Sequence, residues 1–233
     1  MIHYIPVLTT IFSIYFLKEI VPHYFKKSRA TYLLWWSIGV LTFGLGTLSE
    51  SVNTLYGWTE INFKFWYIMG ALLGGFPLAQ GTVYLLLKKR TADILSVCFG
   101  TIIIIAAFTI VLSPVDTSAA VNGRLSGKAL TWQWTRLFSP VINLYSFIFL
   151  FGGAIYSAVQ YKRRRLSTRF LGNIYIAVGA LLPGIGGTFT RFGYIEVLYV
   201  TEFLGLLAIY FGYRTIKKDP TESMHTAQVD TGT

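Results

Sequence analysis

Charged residues are scarce in this chain. Only 13% of its 233 residues are Asp, Glu, Lys or Arg, whereas a soluble domain typically carries about 25%. Long runs carry no charge at all, such as IIIIAAFTIVL at 102–112. Together with a mean hydropathy of +0.56, this scarcity excludes an ordinary soluble globule and predicts an integral membrane protein.

Cysteine and histidine are scarce as well. Cys98 is the only cysteine, so an intrachain disulfide is excluded. The three histidines, His3, His23 and His225, lie near the ends of apolar segments or in the C-terminal tail. No metal-binding spacing such as HExxH or CxxC occurs. We therefore predict no metal site, no cofactor and no catalytic constellation, and we do not expect an enzyme.

Seven apolar segments are each close to the ~20 residues that a helix needs to cross ~30 Å of hydrocarbon. They fall at about 4–22, 32–53, 65–87, 92–112, 137–159, 170–189 and 195–213. The sequence therefore predicts an all-α, polytopic fold with seven transmembrane helices over residues 1–218. The polar remainder, 219–233, is predicted to be a disordered tail.

The net charge of +10 is distributed unevenly along the chain. Fourteen basic residues follow the first, third, fifth and seventh segments, whereas five lie in the alternate connections or beside them. By the positive-inside rule this places the N-terminus outside and the C-terminal tail in the cytoplasm. We therefore expect a multi-pass protein of the cytoplasmic membrane. Its basic residues are expected to contact the head groups of the lipid bilayer, and we expect no nucleic acid as a partner.

Two parts of the chain share features in the same order. YIPVLTTIFSIYFL at 4–17 and FSPVINLYSFIFLF at 138–151 both carry Pro-Val at their third and fourth positions. Three glycines of the second segment fall opposite three of the sixth: Gly39, Gly44 and Gly46 against Gly179, Gly184 and Gly186. We interpret this as two units, about 4–87 and 137–213, around a linker helix at 92–112. Such a 3+1+3 plan is found in parallel-repeat transporters; chance similarity among apolar helices is the alternative.

Glycine and proline indicate where helices pack and bend. Gly70 and Gly74 form a GxxxG motif, which suits either close packing within the protein or the seam of a homo-oligomer. Pro77 and Pro183 lie inside their segments and are predicted to kink them. From the glycines we expect the second, third and sixth helices to form the tightly packed centre.

Several ionisable residues converge on the outer half of the predicted bundle. Glu50 lies near the outer end of the second segment, and Glu202 lies roughly 10 Å into the seventh at ~1.5 Å per residue. A lone charge at mid-bilayer costs ~2.5–3.5 kcal/mol on insertion scales, so we predict that both acids pair with basic residues at the ends of neighbouring segments. The candidate ligand-binding residues are Glu50, Lys64, Arg136, Asn143, Arg191 and Glu202. A buried ion pair that only fixes helix register is the alternative interpretation.

The run RFLGNIYIAVGALLPGIGGTFTRFGYIEVLYVTEFLG at 169–205 resembles a family of small bacterial seven-helix membrane proteins. The resemblance covers most of the chain and includes a Glu late in helix two, here Glu50, and a basic residue opening helix three, here Lys64. It implies the topology and the polar set but no reaction, because that family has no assigned activity. The 3+1+3 plan is also similar to SWEET-type sugar carriers, although their Pro-Gln dipeptide is missing here.

Three functions are compatible with these features. The leading hypothesis is a transporter that binds a small polar or anionic solute in an outward-facing pocket. The alternative is a ligand sensor or membrane subunit that signals to a partner through its basic inner loops. A membrane enzyme acting on lipid ranks last, because a carboxylate pair alone offers acid–base chemistry without a nucleophile or a metal.

Overall fold

A computed structural model describes residues 2–119, 125–190 and 192–219. These residues form seven helices long and apolar enough to cross a membrane, and they contain no β-strand. The helices are α1 (Ile2–Lys26), α2 (Thr31–Tyr56), α3 (Glu60–Leu86), α4 (Lys89–Leu112), α5 (Gln133–Arg163), α6 (Ser167–Thr190) and α7 (Ile195–Lys217). The prediction of an all-α seven-helix membrane protein is confirmed. The predicted tail lies outside the described residues except for Asp219.

The helices extend beyond most of the apolar segments, because polar residues at the membrane surface continue the backbone hydrogen bonding. α5, for example, begins at Gln133 and ends at Arg163, whereas its apolar segment covers 137–159. Where a helix does stop, the local backbone shows why. After α1, Ser28 and Arg29 adopt left-handed conformations with φ of 46° and 56°, which an α-helix of L-residues cannot continue.

Six of the helices form a closed ring. α2 packs between α1 and α3, α5 packs between α3 and α6, and α7 closes the ring against α1. α4 packs on the outside of this ring, against α3 and α5, and it is the least buried of the seven. Its free face carries exposed large apolar residues: Ile94, Val97, Ile104, Ile105, Phe108 and Val111. In a bilayer this face contacts lipid.

The closest helix packing is between α6 and α7, along what we call the glycine seam: Gly172, Gly179, Gly186, Gly205 and Gly212. The glycines recur every seven residues on each helix, a spacing that keeps them on one face. A Cβ added to Gly179 would lie 2.6 Å from the backbone oxygen of Gly205, and one added to Gly205 would lie 2.8 Å from that of Gly179. Only glycine therefore permits this approach.

The prediction that the sixth helix joins the second and third in a central cluster is therefore wrong. α6 packs most extensively on α7 and next on α5. α2 and α3 do pack closely together, since a Cβ on Gly46 would lie 3.1 Å from the Cα of Gly70. This contact uses one glycine of the GxxxG motif within the protein itself.

α3 is interrupted in the middle of the membrane. An α-helix at Glu60–Trp66 continues as a π-helix at Tyr67–Leu72, and a second α-helix begins only at Phe76. Pro77 occupies the first turn of this inner helix, where its missing N–H costs nothing. The predicted kink at Pro77 corresponds to an interruption of the helix just before it. α6 is helical through Pro183, and a kink there stays a prediction.

Neighbouring helices bind the carbonyl groups that this interruption frees. The hydroxyl of Thr42 on α2 donates to the carbonyl of Leu73 at 3.2 Å, and the amide of Asn143 on α5 donates to that of Ala71 at 3.4 Å. Irregular backbone at membrane depth is tolerated where protein groups satisfy it in this way. α5 has a π-helical stretch of its own at Phe147–Gly152, so two adjacent helices depart from regular α-geometry.

Candidate functional site

Glu50 and Glu202 meet in the outer half of the bundle. Glu50 lies six residues before the outer end of α2, and Glu202 lies seven residues after the outer start of α7. At ~1.5 Å per residue both are about 9–10 Å below the helix ends. Their carboxyl groups lie close enough to interact with each other. Glu50 is buried, with 3% of its surface exposed, and Glu202 is half-buried.

A tryptophan completes this arrangement. Trp66 lies six residues into α3, at the same depth, and its indole Nε1 donates to Oε1 of Glu50 at 3.0 Å. The Oε2 atoms of Glu50 and Glu202 are buried, and within the described parts of the chain no donor reaches either of them.

An open cavity of about 970 Å³ lies at the outer side of the bundle. It is bounded by α3, by the start of α5 and the segment before it, and by the connection from α6 to α7. Trp66 and Tyr67 form its α3 wall, and Lys128 and Arg136 supply positive charge. Its described lining contains no carboxylate, so the charge facing the cavity is positive.

Trp66 separates this cavity from the carboxyl pair. Its side chain lines the cavity and also donates to Glu50. Trp66 thus contacts both the cavity with its cationic lining and the acid Glu50. An event on one side, such as the binding of a charged solute, acts on the other side through the position of that ring and through the electrostatic field.

The segment before α5 folds against the cavity wall. Val115 and Leu130 pair as an isolated antiparallel bridge, which brings the two ends of this segment together. A Cβ on Gly127 would lie 2.7 Å from the Tyr67 ring, so glycine is needed where the segment meets α3. The hydroxyl of Ser139, on α5, also donates to the hydroxyl of Tyr67 at 3.2 Å.

Arg136 and Asn143, both predicted site residues, lie at or beside the cavity. Arg136 is half-buried on the cavity wall, and its guanidinium donates to Oε1 of Gln133 at 2.6 Å. Asn143 donates to the carbonyl of Ala71, a residue that lines the cavity. Its amide therefore supports the wall by satisfying the freed backbone of α3.

Lys64 has a different environment from the one predicted. It forms an ion pair with Glu60 at 2.7 Å and donates to the carbonyl of Val111, in the last turn of α4, at 3.0 Å. The negative end of the α4 dipole attracts this cation. The predicted ion pairs of Glu50 or Glu202 with Lys64 or Arg136 are accordingly not formed. Arg191, the remaining predicted cation, lies outside the described residues.

Sequence reasoning did not single out several cavity residues that the structure makes prominent: Trp66, Tyr67, Lys128 and Ser139. For Trp66 a signal was present, because it has the same depth in α3 as Glu50 has in α2, and a buried indole N–H requires an acceptor. For Lys128 the sequence contained no such signal, because a segment without a regular helix or strand has no periodicity from which the orientation of its side chains could be predicted.

Two other features complete the description of possible sites. No group of three or more potential metal-ligating side chains occurs in the described ranges. A smaller cavity of about 100 Å³ lies near the inner ends of the ring helices, lined in part by His23, Trp36 and Tyr213. A hydrogen bond of 2.9 Å between His23 Nδ1 and the Tyr213 hydroxyl connects α1 to α7 beside it.

Comparison with known proteins finds no relative: no family model, no curated protein and no solved structure matches the chain. The family resemblance and the internal repeat stay predictions.

Proposed function

We propose that this seven-helix membrane protein is a permease that takes up a small anionic solute from the outer face of the cytoplasmic membrane. The observation that carries the proposal is the outer cavity, whose described lining has two cations and no carboxylate. Its volume is within the ~300–1,000 Å³ of small-molecule sites. The planar guanidinium of Arg136 suits carboxylate, phosphate or sulfate groups, which it can bind through two parallel hydrogen bonds.

Transport, rather than binding alone, is supported by the irregular backbone of α3 below the cavity. α3 forms one wall of the cavity and is interrupted just beneath it, at residues 73–75. Interrupted helices are typical of transporter binding sites near the bilayer midplane. The second cavity, near the inner ends of the same ring of helices, marks where a solute would leave after rearrangement.

The test is uptake of labelled anions by reconstituted vesicles. Sulfate, phosphate and succinate are each offered to vesicles with the protein and to empty vesicles. Arg136→Gln removes a charge-assisted contact worth about 1.5–3 kcal/mol, so we expect a ~10- to 100-fold weaker apparent affinity for the transported anion. The matched control is Lys64→Gln, an outer cation that faces α4 instead of the cavity, and its uptake should equal that of the unmodified protein.

Two outcomes would contradict the proposal. No uptake of any of the three anions above the empty vesicles would remove the transport function. Equal uptake by Arg136→Gln and by the unmodified protein would remove the assigned site. Saturable anion binding that depends on Arg136 without any uptake would instead favour a ligand sensor, which would use the same cavity.

A further inference from the structure

We propose that the smaller cavity, here termed the inner cavity, is a second ligand site that takes a short-chain carboxylate from the inner side of the membrane. Its ligand has one negative charge and an apolar chain. The proposal goes beyond anion uptake and does not rest on the permease, because binding at this site is measured without transport.

The inner cavity lies inside the helix ring, since each of the six ring helices contributes to its wall. One lining residue from each helix, in chain order, is His23, Leu33, Leu86, Ala154, Ile176 and Lys217. A molecule in this cavity therefore contacts the whole ring. It binds best to the arrangement in which the six helices stand together, and it stabilises that arrangement by mass action.

The charged and the apolar parts of the wall lie at different depths. Lys217 is the last residue of α7, and His23 lies three residues before the end of α1, so both are near the inner surface. Ala154 and Ile176 each lie nine residues from the inner ends of α5 and α6, which is about 13 Å at ~1.5 Å per residue. The mouth is therefore basic, whereas the deepest lining residues are apolar.

Tyr213, itself part of the wall, holds the basic groups at the mouth. The centre of its ring lies 5.4 Å from the ammonium nitrogen of Lys217, within the range of a cation–π contact. Its hydroxyl oxygen lies 2.9 Å from Nδ1 of His23. Because Lys217 is exposed at the helix end, its ammonium group is accessible to a carboxylate that enters from the inner side.

The size of the cavity and its apolar depth define the ligand class. An apolar cavity of about 150 Å³ takes benzene, so one of about 100 Å³ suits a chain of about four carbons. Each methylene group that is buried strengthens binding by roughly fourfold. Sulfate and phosphate have no apolar part to fill this depth, and a long acyl chain exceeds it. A carboxylate at the mouth with a short chain below it satisfies both parts of the wall.

The first test is a titration with acetate, butyrate, hexanoate and octanoate, followed by ligand-observed NMR. The purified full-length protein is held in nanodiscs of zwitterionic lipid, and empty nanodiscs are the blank. All variants carry Arg136→Gln as well, so that this outer cation does not contribute. We expect butyrate to bind with a dissociation constant of about 1 mM, roughly tenfold more tightly than acetate. Octanoate should bind no more tightly than hexanoate.

Two substitutions locate the site, each with a matched control. Lys217→Gln should weaken butyrate binding by about two- to fivefold, since exposed charge pairs contribute little. Lys218→Gln, at a neighbouring residue outside the described lining, should leave it unchanged. Ser157→Leu places a side chain in the cavity and should weaken binding by about tenfold or more. Val159→Leu, at an exposed position on the same helix, should not.

A third substitution separates binding in the cavity from a structural effect. Ile176→Ala enlarges the deep end of the cavity, so the chain length that binds most tightly should increase from about four carbons to about six. A residue that only supports the fold would lower the affinity for all four acids alike. This readout also decides the matter if Ser157→Leu does not fold.

The outcomes are distinct from those for anion uptake. An optimum near butyrate that shifts in Ile176→Ala and is lost in Ser157→Leu supports the proposal. No saturable binding above the empty nanodiscs overturns it, and so does binding that persists in a folded Ser157→Leu protein. An affinity that keeps rising to octanoate assigns the cavity to a lipid chain and overturns the short ligand. None of these results changes whether the outer cavity serves uptake.

Discussion

Two pairs of neighbouring helices in this protein are built on opposite principles. α6 and α7 meet along the glycine seam, where backbone contacts backbone and both helices are continuous. α3 and α5 meet through side chains, such as Tyr145 with Phe76 and Gln80, and each contains a π-helical stretch, with α3 interrupted altogether. One pair leaves no space between its members, and the other borders the outer cavity.

This difference indicates which parts can move. Backbone-to-backbone contacts over three turns or more allow little sliding, because any shift brings a carbonyl against a Cα. In the interrupted helix α3, individual carbonyl groups accept a hydrogen bond from a single side chain of a neighbouring helix. Such a hydrogen bond can be broken and replaced by another one when the helix changes shape. We therefore expect α6 and α7 to move as one body and α3 to be the element that changes shape during transport.

The largest effect is expected from a substitution in the glycine seam, the rigid contact between α6 and α7. Gly179→Leu places a side chain where even a Cβ would be 2.6 Å from a backbone oxygen, so we expect the free energy of unfolding in detergent to fall by about 3 kcal/mol or more. The control is Gly184→Leu on the same helix, where a Cβ meets nothing within 4 Å. Equal losses for both variants would show that the seam is not tightly packed.

A smaller loss of stability is expected from a substitution in α3, where this helix forms the wall of the cavity. Trp66→Phe keeps the aromatic ring and removes the donor to Glu50, leaving a buried acceptor unsatisfied, which costs about 1–3 kcal/mol. Trp134→Phe, on an exposed indole at the outer surface, is the control. Stability is measured by chemical unfolding in detergent. If both variants were equally stable, the indole would not hold the acid.

The smallest effect sharpens the comparison at the interruption of α3 itself. Thr42→Val is nearly isosteric and removes the hydrogen bond to the carbonyl of Leu73. Hydrogen bonds between membrane helices average about 0.6 kcal/mol, and we expect a loss of that size. Thr101→Val, whose hydroxyl bonds only within α4 to Val97, should be neutral. A larger loss would mean that Thr42 alone holds the interruption in place.

The seven spans could be predicted because a helix that crosses the hydrocarbon of a bilayer must have a certain length and an apolar composition. Both properties can be counted directly in the sequence. A departure from regular helix near Pro77 could be predicted for a similar reason, since the backbone restriction of proline is a local property. The glycine seam could not, because it depends on two helices being in register. The period of seven on α6 has meaning only once Gly205 and Gly212 are known to face it.

The site was predictable to the extent that it depends on depth. Counting residues from the helix ends brings Glu50 and Glu202 to one level, and the structure joins them. Their partners were not predictable, because which cation reaches an acid depends on the rotation of each helix about its axis. Lys64 lies close to the depth of Glu50 along its helix, but its side chain faces the end of α4. The indole of Trp66, which does bind Glu50, carries no charge, so a search for ion pairs does not identify it.

The connection between α3 and α4 has a consequence of its own. Only Leu87 and Lys88 separate the two helices, and Gln80 and Tyr84 of α3 bond to Ala92 and Asp93 of α4 at 2.9 and 2.7 Å. The inner half of α3 therefore cannot shift along the membrane normal without carrying α4 and its lipid-facing isoleucines. Displacing such a helix creates hydrophobic mismatch, at a cost of fractions of a kcal/mol per ångström. The thickness of the surrounding bilayer thus becomes part of the energy of any rearrangement of α3.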